Sequence, residues 1–332
     1  MPKPVVLVTA PNLSEAAIKL LSDAHAQVIY MKNPVTEDAV LAQLAGSEIN
    51  AVLLRGSPPL TKRVLDSAKH LKIIAKHGVG VDSVDIEAAT ARGIVVVTAG
   101  DANADAVAEQ SIMLMLALAR ELPKYHKSLR DGHWVKGGSV GREFRGRVVG
   151  IVGYGQIGSR TAKLARALGA NVILLSRSKI ANPEGMEVET DLERLLKRVD
   201  ILSLHCPLTE KTRGMIGDKE LRMLKPTALL INTSRGPVVD EAALIDALQN
   251  GRLAGAGLDT FAQEPPDPKN PLIFMDNVLC TPHVSVLTQE AMTRMGTAAA
   301  TNIVGYIGRG ECDVKSVVNK TVIKGLSDSV IK

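Results

Sequence analysis

The sequence predicts an α/β protein built of two Rossmann-like parallel-sheet domains. Three observations predict it. Short apolar strands alternate with helical stretches along nearly the whole chain. Many of those strands, such as Val5–Thr9 and Ile94–Thr98, are apolar without alternation, as strands covered on both faces are. Aromatic residues make up only 2% of the 332 residues, so Val, Leu, Ile and Ala must fill the core.

The first series of elements runs in order. Val5–Thr9 is a strand, and Ser14 caps a helix reaching about Ala24. Gln27–Met31 is a strand, Thr36 opens a helix, Ala51–Leu54 is a strand and Thr61 caps another helix. Lys72–Lys76 is a strand that leads into His77-Gly78-Val79-Gly80-Val81-Asp82, and Ile94–Thr98 follows. Ala104–Arg120 is then an almost uninterrupted apolar helix, about 25 Å long at 1.5 Å per residue. Such a helix must be buried on most sides, between domains or in a subunit interface. The glycine-rich stretch Asp131–Arg145 is a loop, and its Trp134 is read as a packing residue.

A second series begins at Val148. Its strands are Val148–Val152, Asn171–Ser176, Ile201–Cys206, Ala228–Thr233, Ala254–Asp259 and Val278–Thr281, and Thr288–Gly308 is a closing helix. The expected division is discontinuous: residues 1–101 with 286–332 form one domain, and residues 102–285 form the other.

Composition narrows the classes of function. Hydrophobic content of 45% and charged content of 23% describe an ordinary globular chain. The net charge of +5 is scattered rather than gathered into a block, and stacking aromatics are scarce, which argues against nucleic-acid binding. Anionic small molecules suit that charge better. Cys206, Cys280 and Cys312 are far apart and lack CxxC spacing, so neither a disulfide framework nor a metal site is expected. Nothing approaches the roughly 20 apolar residues of a membrane span, and no signal peptide is evident, so the chain reads as cytoplasmic.

One motif points to a cofactor. Val148–Val152 is followed by Gly153-Tyr154-Gly155-Gln156-Ile157-Gly158 and an amphipathic helix from Ile157 to Leu168. Gly153 permits the tight turn, Gly155 lets the backbone approach a pyrophosphate, and Gly158 allows the helix to pack closely on the strand. The helix N-terminus, with Gln156 and Ile157, offers free N–H groups to phosphates. The next strand ends in Leu175-Ser176-Arg177-Ser178, with no carboxylate to receive a ribose 2′-hydroxyl. Arg177 with Ser176 and Ser178 could instead hold a 2′-phosphate, which favours NADP over NAD.

Three later motifs sit at strand ends, where open α/β sheets bind ligands. They are Asn232-Thr233-Ser234-Arg235-Gly236, Leu258-Asp259-Thr260-Phe261-Ala262-Gln263-Glu264-Pro265, and Pro282-His283 followed by Val284-Ser285. Cys206, Pro207, Thr233, Ser234, Asp259 and Ser285 border the same crevice as candidate cofactor contacts. Taken singly, His283 could be structural, Arg235 could pair with Asp240 or Glu241, and Glu264 could be a turn residue.

Jointly, these motifs and the Gly78–Asp82 turn resemble the D-isomer-specific 2-hydroxyacid dehydrogenases over about residues 50–310, nearest the phosphoglycerate dehydrogenase and glyoxylate/hydroxypyruvate reductase branches. The resemblance implies a catalytic trio: Arg235 for the substrate carboxylate, His283 as acid/base and Glu264 as its partner. It also implies that Asp259 faces the nicotinamide and that Gly78, Val79 and Gly80 present N–H groups to the substrate. Arg55 and Gly56 stand where a phosphoglycerate dehydrogenase carries an Arg-Ser pair, although the inserted glycine departs from that pattern. His283-Val284-Ser285 departs from the usual His-x-Gly. The implied protein transfers hydride between NAD(P) and a D-2-hydroxy or 2-keto acid in an interdomain active-site cleft, and works as a homodimer through the Ala104–Arg120 region. The length leaves no room for a serine-sensing regulatory domain. An NAD(H)-sensing co-repressor and a phosphite dehydrogenase are the alternatives; formate dehydrogenase chemistry is disfavoured by Glu264, because those enzymes pair the histidine with glutamine.

Overall fold

The computed structural model describes residues 3–56, 58–136, 138, 140–176 and 184–323. The chain divides into two compact units, residues 1–103 with 288–332 and residues 104–287. Each junction lies two residues beyond the expected one. The reason at the second is local: Leu287 N–H bonds the Val284 carbonyl, and Thr288 then caps the helix that returns to the first unit.

The first unit carries strands β1 (Val5–Val8), β2 (Gln27–Tyr30), β3 (Ala51–Leu54), β4 (Ile73–Lys76) and β5 (Val95–Val97), with helices α1 (Glu15–Asp23), α2 (Glu37–Gly46), α3 (Lys62–Ser67) and α4 (Ile86–Ala91). Its sheet is parallel throughout, in the order β2-β1-β3-β4-β5. Alternate side chains feed two cores. Leu7, Val52 and Ile74 pack under α2, α3 and α4, while Val6, Leu53 and Ile73 pack under α1 and the last helix. Truncating a fully buried residue such as Leu53 to Ala should cost about 2–5 kcal/mol.

The second unit begins with α5 (Ala104–Ala119) and α6 (Leu122–Arg130). It continues through β6 (Val148–Val152), α7 (Gln156–Ala167), β7 (Asn171–Leu175), β8 (Glu187–Glu189), α8 (Leu192–Leu196), β9 (Ile201–Leu204), α9 (Asp218–Met223), β10 (Leu229–Asn232), α10 (Glu241–Gln249), β11 (Gly255–Leu258) and β12 (Val278–Cys280). Helix α11 (Gln289–Arg309) then belongs to the first unit. The seven strands run parallel in the order β12-β11-β10-β9-β6-β7-β8. The order reverses between β6 and β9, a crevice at which such sheets bind ligands. Helices α5 and α7 cover one face, and α8, α9 and α10 cover the other.

Four expectations change. Ser14 occupies the N-cap position of α1 but makes no capping bond. Its Oγ is buried with no hydrogen-bond partner among the described residues, and it lies 3.0 Å from where a Cβ on Gly296 would stand. Trp134 is 81% exposed, so it does not pack within the chain. Helix α6 was not foreseen: Leu122, Tyr125 and Leu129 share one of its faces, but the element is short and buries none of its residues, and Pro123 in its first turn is its one start signal. Helix α5 is mostly buried as expected, yet Met113 on it is 51% exposed.

Candidate active site

All seven strands of the second unit end along one edge of the sheet, and every candidate residue of that unit follows one of six of them. After β6 the chain turns at Gly153, whose φ of +95° favours glycine. A Cβ there would stand 2.8 Å from the His205 carbonyl oxygen, and one on Gly158 would overlap the Gly153 carbonyl oxygen. A Cβ on Gly155 would meet nothing within 4 Å. The turn therefore demands glycine at its ends and leaves open space at its middle, as a bound pyrophosphate requires. Helix α7 starts immediately after it with no side chain capping its N-terminus, so its first N–H groups, at Gln156 and Ile157, are available to an anion. The residues present thus fit a dinucleotide.

Ser176 follows β7, and its N–H bonds the Glu189 carbonyl. Arg177 and Ser178 lie outside the described residues. Cys206 and Pro207 follow β9; the cysteine is buried and the proline exposed. Thr233 is buried, and its hydroxyl is engaged by Ser111 Oγ at 2.9 Å. Asn232 organises the turn carrying Arg235. Its Oδ1 accepts from Ser234 N and Oγ, at 3.0 and 2.8 Å, and its Nδ2 donates to the Arg235 carbonyl at 2.9 Å. Arg235 Nη1 donates to the Ser234 carbonyl at 2.7 Å, which turns the guanidinium back over its own strand end. Asp240 caps α10 through the Ala243 N–H, and Glu241 accepts from Ala262 N–H at 2.9 Å, so both acids have work other than pairing with Arg235.

Asp259 is 1% exposed and is encircled by the segment that carries His283. Its Oδ1 accepts from Thr281 Oγ1 at 2.6 Å and Val284 N at 2.9 Å; its Oδ2 accepts from Ser285 N at 3.0 Å and from Ser285 Oγ. Those bonds grip the chain on both sides of His283, whose backbone is left-handed at φ +53°. A non-glycine residue in that region is uncommon and is held there by its surroundings. Ser285, the departure from His-x-Gly, supplies two of the four donors, and its hydroxyl is the one a glycine would lack.

His283 Nδ1 meets Glu264 Oε2 at 2.8 Å, and Glu264 Oε1 accepts from Phe261 N–H at 3.1 Å. The hydrogen bond from Glu264 holds the imidazole above its usual pKa against the opposing effects of burial and the Arg235 charge. Burial pushes the Glu264 carboxyl up, but His283, the Phe261 N–H and Arg235 together pull it below its ordinary value. The pair is therefore a carboxylate beside an imidazole whose protonated form it favours.

In the first unit, the chain after β3 and β4 forms a second cluster. Arg55 Nη1 donates to the Asn12 carbonyl at 3.1 Å and to Asn12 Oδ1 at 2.8 Å, and Thr9 Oγ1 bonds both the Arg55 N–H and its carbonyl. Buried Lys76 donates from Nζ to the Gly56 carbonyl. Gly56 and Gly78 hold φ of +73° and +151°, and Val79 and Gly80 are half-buried in the turn after β4. His77 is 7% exposed; burial, then the Arg55 charge, lower its pKa to about 4. It is a neutral structural histidine that bonds the Met292 backbone.

Sequence reasoning passed over Asn232, Thr281, Ser111 and Lys76, because their partners are distant or their roles lie in the turn itself. It also missed Asn103, buried just before α5 with an Oδ1 that has no partner among the described residues. Among those residues no group of three or more His, Cys, Asp or Glu could hold a metal ion.

The reversing parallel sheet, its glycine turn and the ion pair at the same edge define the class: a two-unit α/β protein with a dinucleotide-binding unit. The family model described as "D-isomer specific 2-hydroxyacid dehydrogenase, NAD binding domain" matches residues 112–285. The chain is 38% identical to a glyoxylate reductase of Thermococcus litoralis over 97% of its own length and 98% of that protein's. It is 39% identical to a D-3-phosphoglycerate dehydrogenase of Methanocaldococcus jannaschii over 95% of its length, and spans 59% of that longer relative. An NADPH-dependent glyoxylate/hydroxypyruvate reductase of Sinorhizobium meliloti, solved with NADP and malonate, superposes with a TM-score of 0.85 at 31% identity, covering 97% of this chain and 98% of that one. The chain belongs to the D-isomer-specific 2-hydroxyacid dehydrogenases, and its cofactor is a nicotinamide dinucleotide.

Proposed function

We propose that this chain reduces small 2-keto acids to D-2-hydroxy acids, with Arg235, Glu264 and His283 as its catalytic residues. The observation that carries this reading is the 2.8 Å His283–Glu264 pair, set by Asp259 on the same sheet edge as the glycine turn. With Nδ1 donating to the Glu264 carboxylate, the protonated His283 delivers its Nε2 proton to the substrate carbonyl oxygen. The dinucleotide, when bound, supplies the hydride to the carbonyl carbon. Arg235 binds the substrate carboxylate through its planar fork and holds the carbonyl in register.

NADP is the preferred cofactor in this reading, because Leu175-Ser176-Arg177-Ser178 offers no carboxylate to repel a 2′-phosphate. Glyoxylate and hydroxypyruvate are the favoured substrates, since the glyoxylate reductase relative is matched over nearly its full length. Arg55 beside the Lys76–Gly56 contact favours 3-phosphohydroxypyruvate as the second reading. The three cysteines, all free thiols, accord with a reducing cytoplasmic setting, and no helix among the described residues is long and apolar enough to cross a membrane.

A second copy of the chain is the proposed partner. A concavity of about 1170 Å³ beside α5 is lined by Met113, Leu116, Leu122, Val140, Leu164 and Leu168. Five of these, all but Leu116, are exposed, a patch of the kind that marks an association surface. Sedimentation of Met113→Glu should show monomer where the unaltered chain shows dimer.

The test of the activity is kcat/KM with NADPH and with NADH against glyoxylate, hydroxypyruvate and 3-phosphohydroxypyruvate. Turnover with a preference for NADPH supports the reading. A tenfold preference for NADH would remove the cofactor assignment, and cofactor binding without turnover of any keto acid would favour a sensor.

A further inference from the structure

One acidic residue near the site is not used by the chemistry above. Glu241 opens α10, but Asp240 already caps that helix, so the Glu241 carboxylate is free to reach outward. Its Oε2 accepts from the Ala262 N–H at 2.9 Å, and its Oε1 accepts from Asn270 Nδ2 at 2.8 Å. Asn270 is 8% exposed, and its Oδ1 caps the short 3-10 turn Pro271–Phe274 through the Leu272 N–H at 3.0 Å. The Leu272 carbonyl in turn accepts the Cys280 thiol at 3.6 Å, three residues before His283.

These contacts hold both ends of the loop that carries Glu264. Residues 262 and 270 are pinned to one carboxylate, and Glu264 lies between them. On the inner side, a Cβ on Gly236 would overlap the Phe261 carbonyl, so the loop rests directly on the backbone next to Arg235. The Phe261 and Ala262 N–H groups are consecutive donors. One binds Glu264 and the other binds Glu241. The orientation of the first depends on the anchoring of the second.

We propose that Glu241, with Asn270, is a positioning residue that acts through Glu264, keeping its carboxylate in register with His283. This inference rests on the reading of Glu264 and His283 as the catalytic pair. The His283–Glu264 bond is 2.8 Å long, and a drift of about 1 Å would take it beyond hydrogen-bonding range. The charged groups acting on His283 are Glu264, Arg235 and Asp259; only Glu264 sits on the braced loop. The Glu241 charge is also felt by the Cys280 thiol, which burial and that charge push up to about 11. Glu241 therefore stands among the Glu264 loop, the end of β12 and the Arg235 turn.

Glu241→Gln is the direct test. A glutamine keeps one acceptor for the Ala262 N–H but sets an NH2 group against that of Asn270, whose oxygen is committed to Leu272. The readout is the pH dependence of kcat/KM for keto-acid reduction, which falls on the alkaline side as His283 loses its proton. In Glu241→Gln that limb moves to lower pH by roughly half to one unit, because the Glu264 contact weakens. Asn270→Ser, which keeps a capping hydroxyl but loses the amide contact, shifts it the same way and serves should Glu241→Gln not fold. In a Glu264→Gln background neither change moves the limb further, whereas a general loss of stability would alter yield and Tm and leave the limb in place. If Glu264→Gln shifts the limb and neither Glu241→Gln nor Asn270→Ser does, the brace is refuted. If Glu264→Gln itself shifts nothing, the catalytic pair is misassigned and the brace falls with it.

Discussion

Lowering the pH should destabilise this chain through its buried histidines, His77 and His205, whose pKa values burial lowers to about 4, and the effect of His77 can be isolated. His77 follows β4, is 7% exposed, and has its pKa lowered from 6.5 to about 4 by burial and then by the Arg55 charge. In the unfolded chain the imidazole takes up a proton near 6.5; in the folded chain it resists until far lower pH. Stability from this group is thus complete above the unfolded pKa and is lost as pH falls through the window between the two values. At about 1.4 kcal/mol per unit the full loss is about 3 kcal/mol, of which about 2 kcal/mol falls between pH 7 and pH 5. Chemical denaturation at both pH values, on the unaltered chain and on His77→Gln, isolates the effect, because every other titrating group is common to both. The variant should lose about 2 kcal/mol less on acidification. An equal loss in both would show that His77 does not titrate as its burial dictates.

Two further outcomes follow from the second unit. Gly158→Ala places a Cβ on the Gly153 carbonyl oxygen, so the turn must open; NADPH affinity, read by fluorescence titration, should fall at least about tenfold. Glu264→Gln removes the largest influence that raises the His283 pKa, so the imidazolium required for reduction should be lost at lower pH, and the alkaline limb of kcat/KM should move acid-ward.

Most strands of the two parallel sheets were legible because they are apolar on both faces and their turns are marked by glycine; β8 was not, because Glu187-Val188-Glu189 is short, charged and largely exposed. The proposed catalytic positions were legible as strand-end motifs. Long-range partnerships were not. Asp259 reads as a strand end, but its four donors come from residues 22 to 26 positions later, and only the folded chain shows that they enclose His283. Glu241 was weighed only as a partner for Arg235, and its contacts to Ala262 and Asn270 show only in the folded chain. Helix α6 escaped because it lacks a buried stripe. Trp134 was read as a packing residue, whereas its ring is exposed. Ser14 has the residue type and backbone of a cap, but its hydroxyl turns toward Gly296.

The most direct measurement is the steady-state reduction of glyoxylate and hydroxypyruvate with NADPH by the unaltered chain and by His283→Ala, with cofactor binding measured in parallel. Removing a positioned acid should lower kcat by roughly 10²–10⁴ while NADPH still binds. A variant that kept near-normal kcat would contradict the assignment of His283, and with it the account of Glu264 and Asp259 as the groups that charge and hold it.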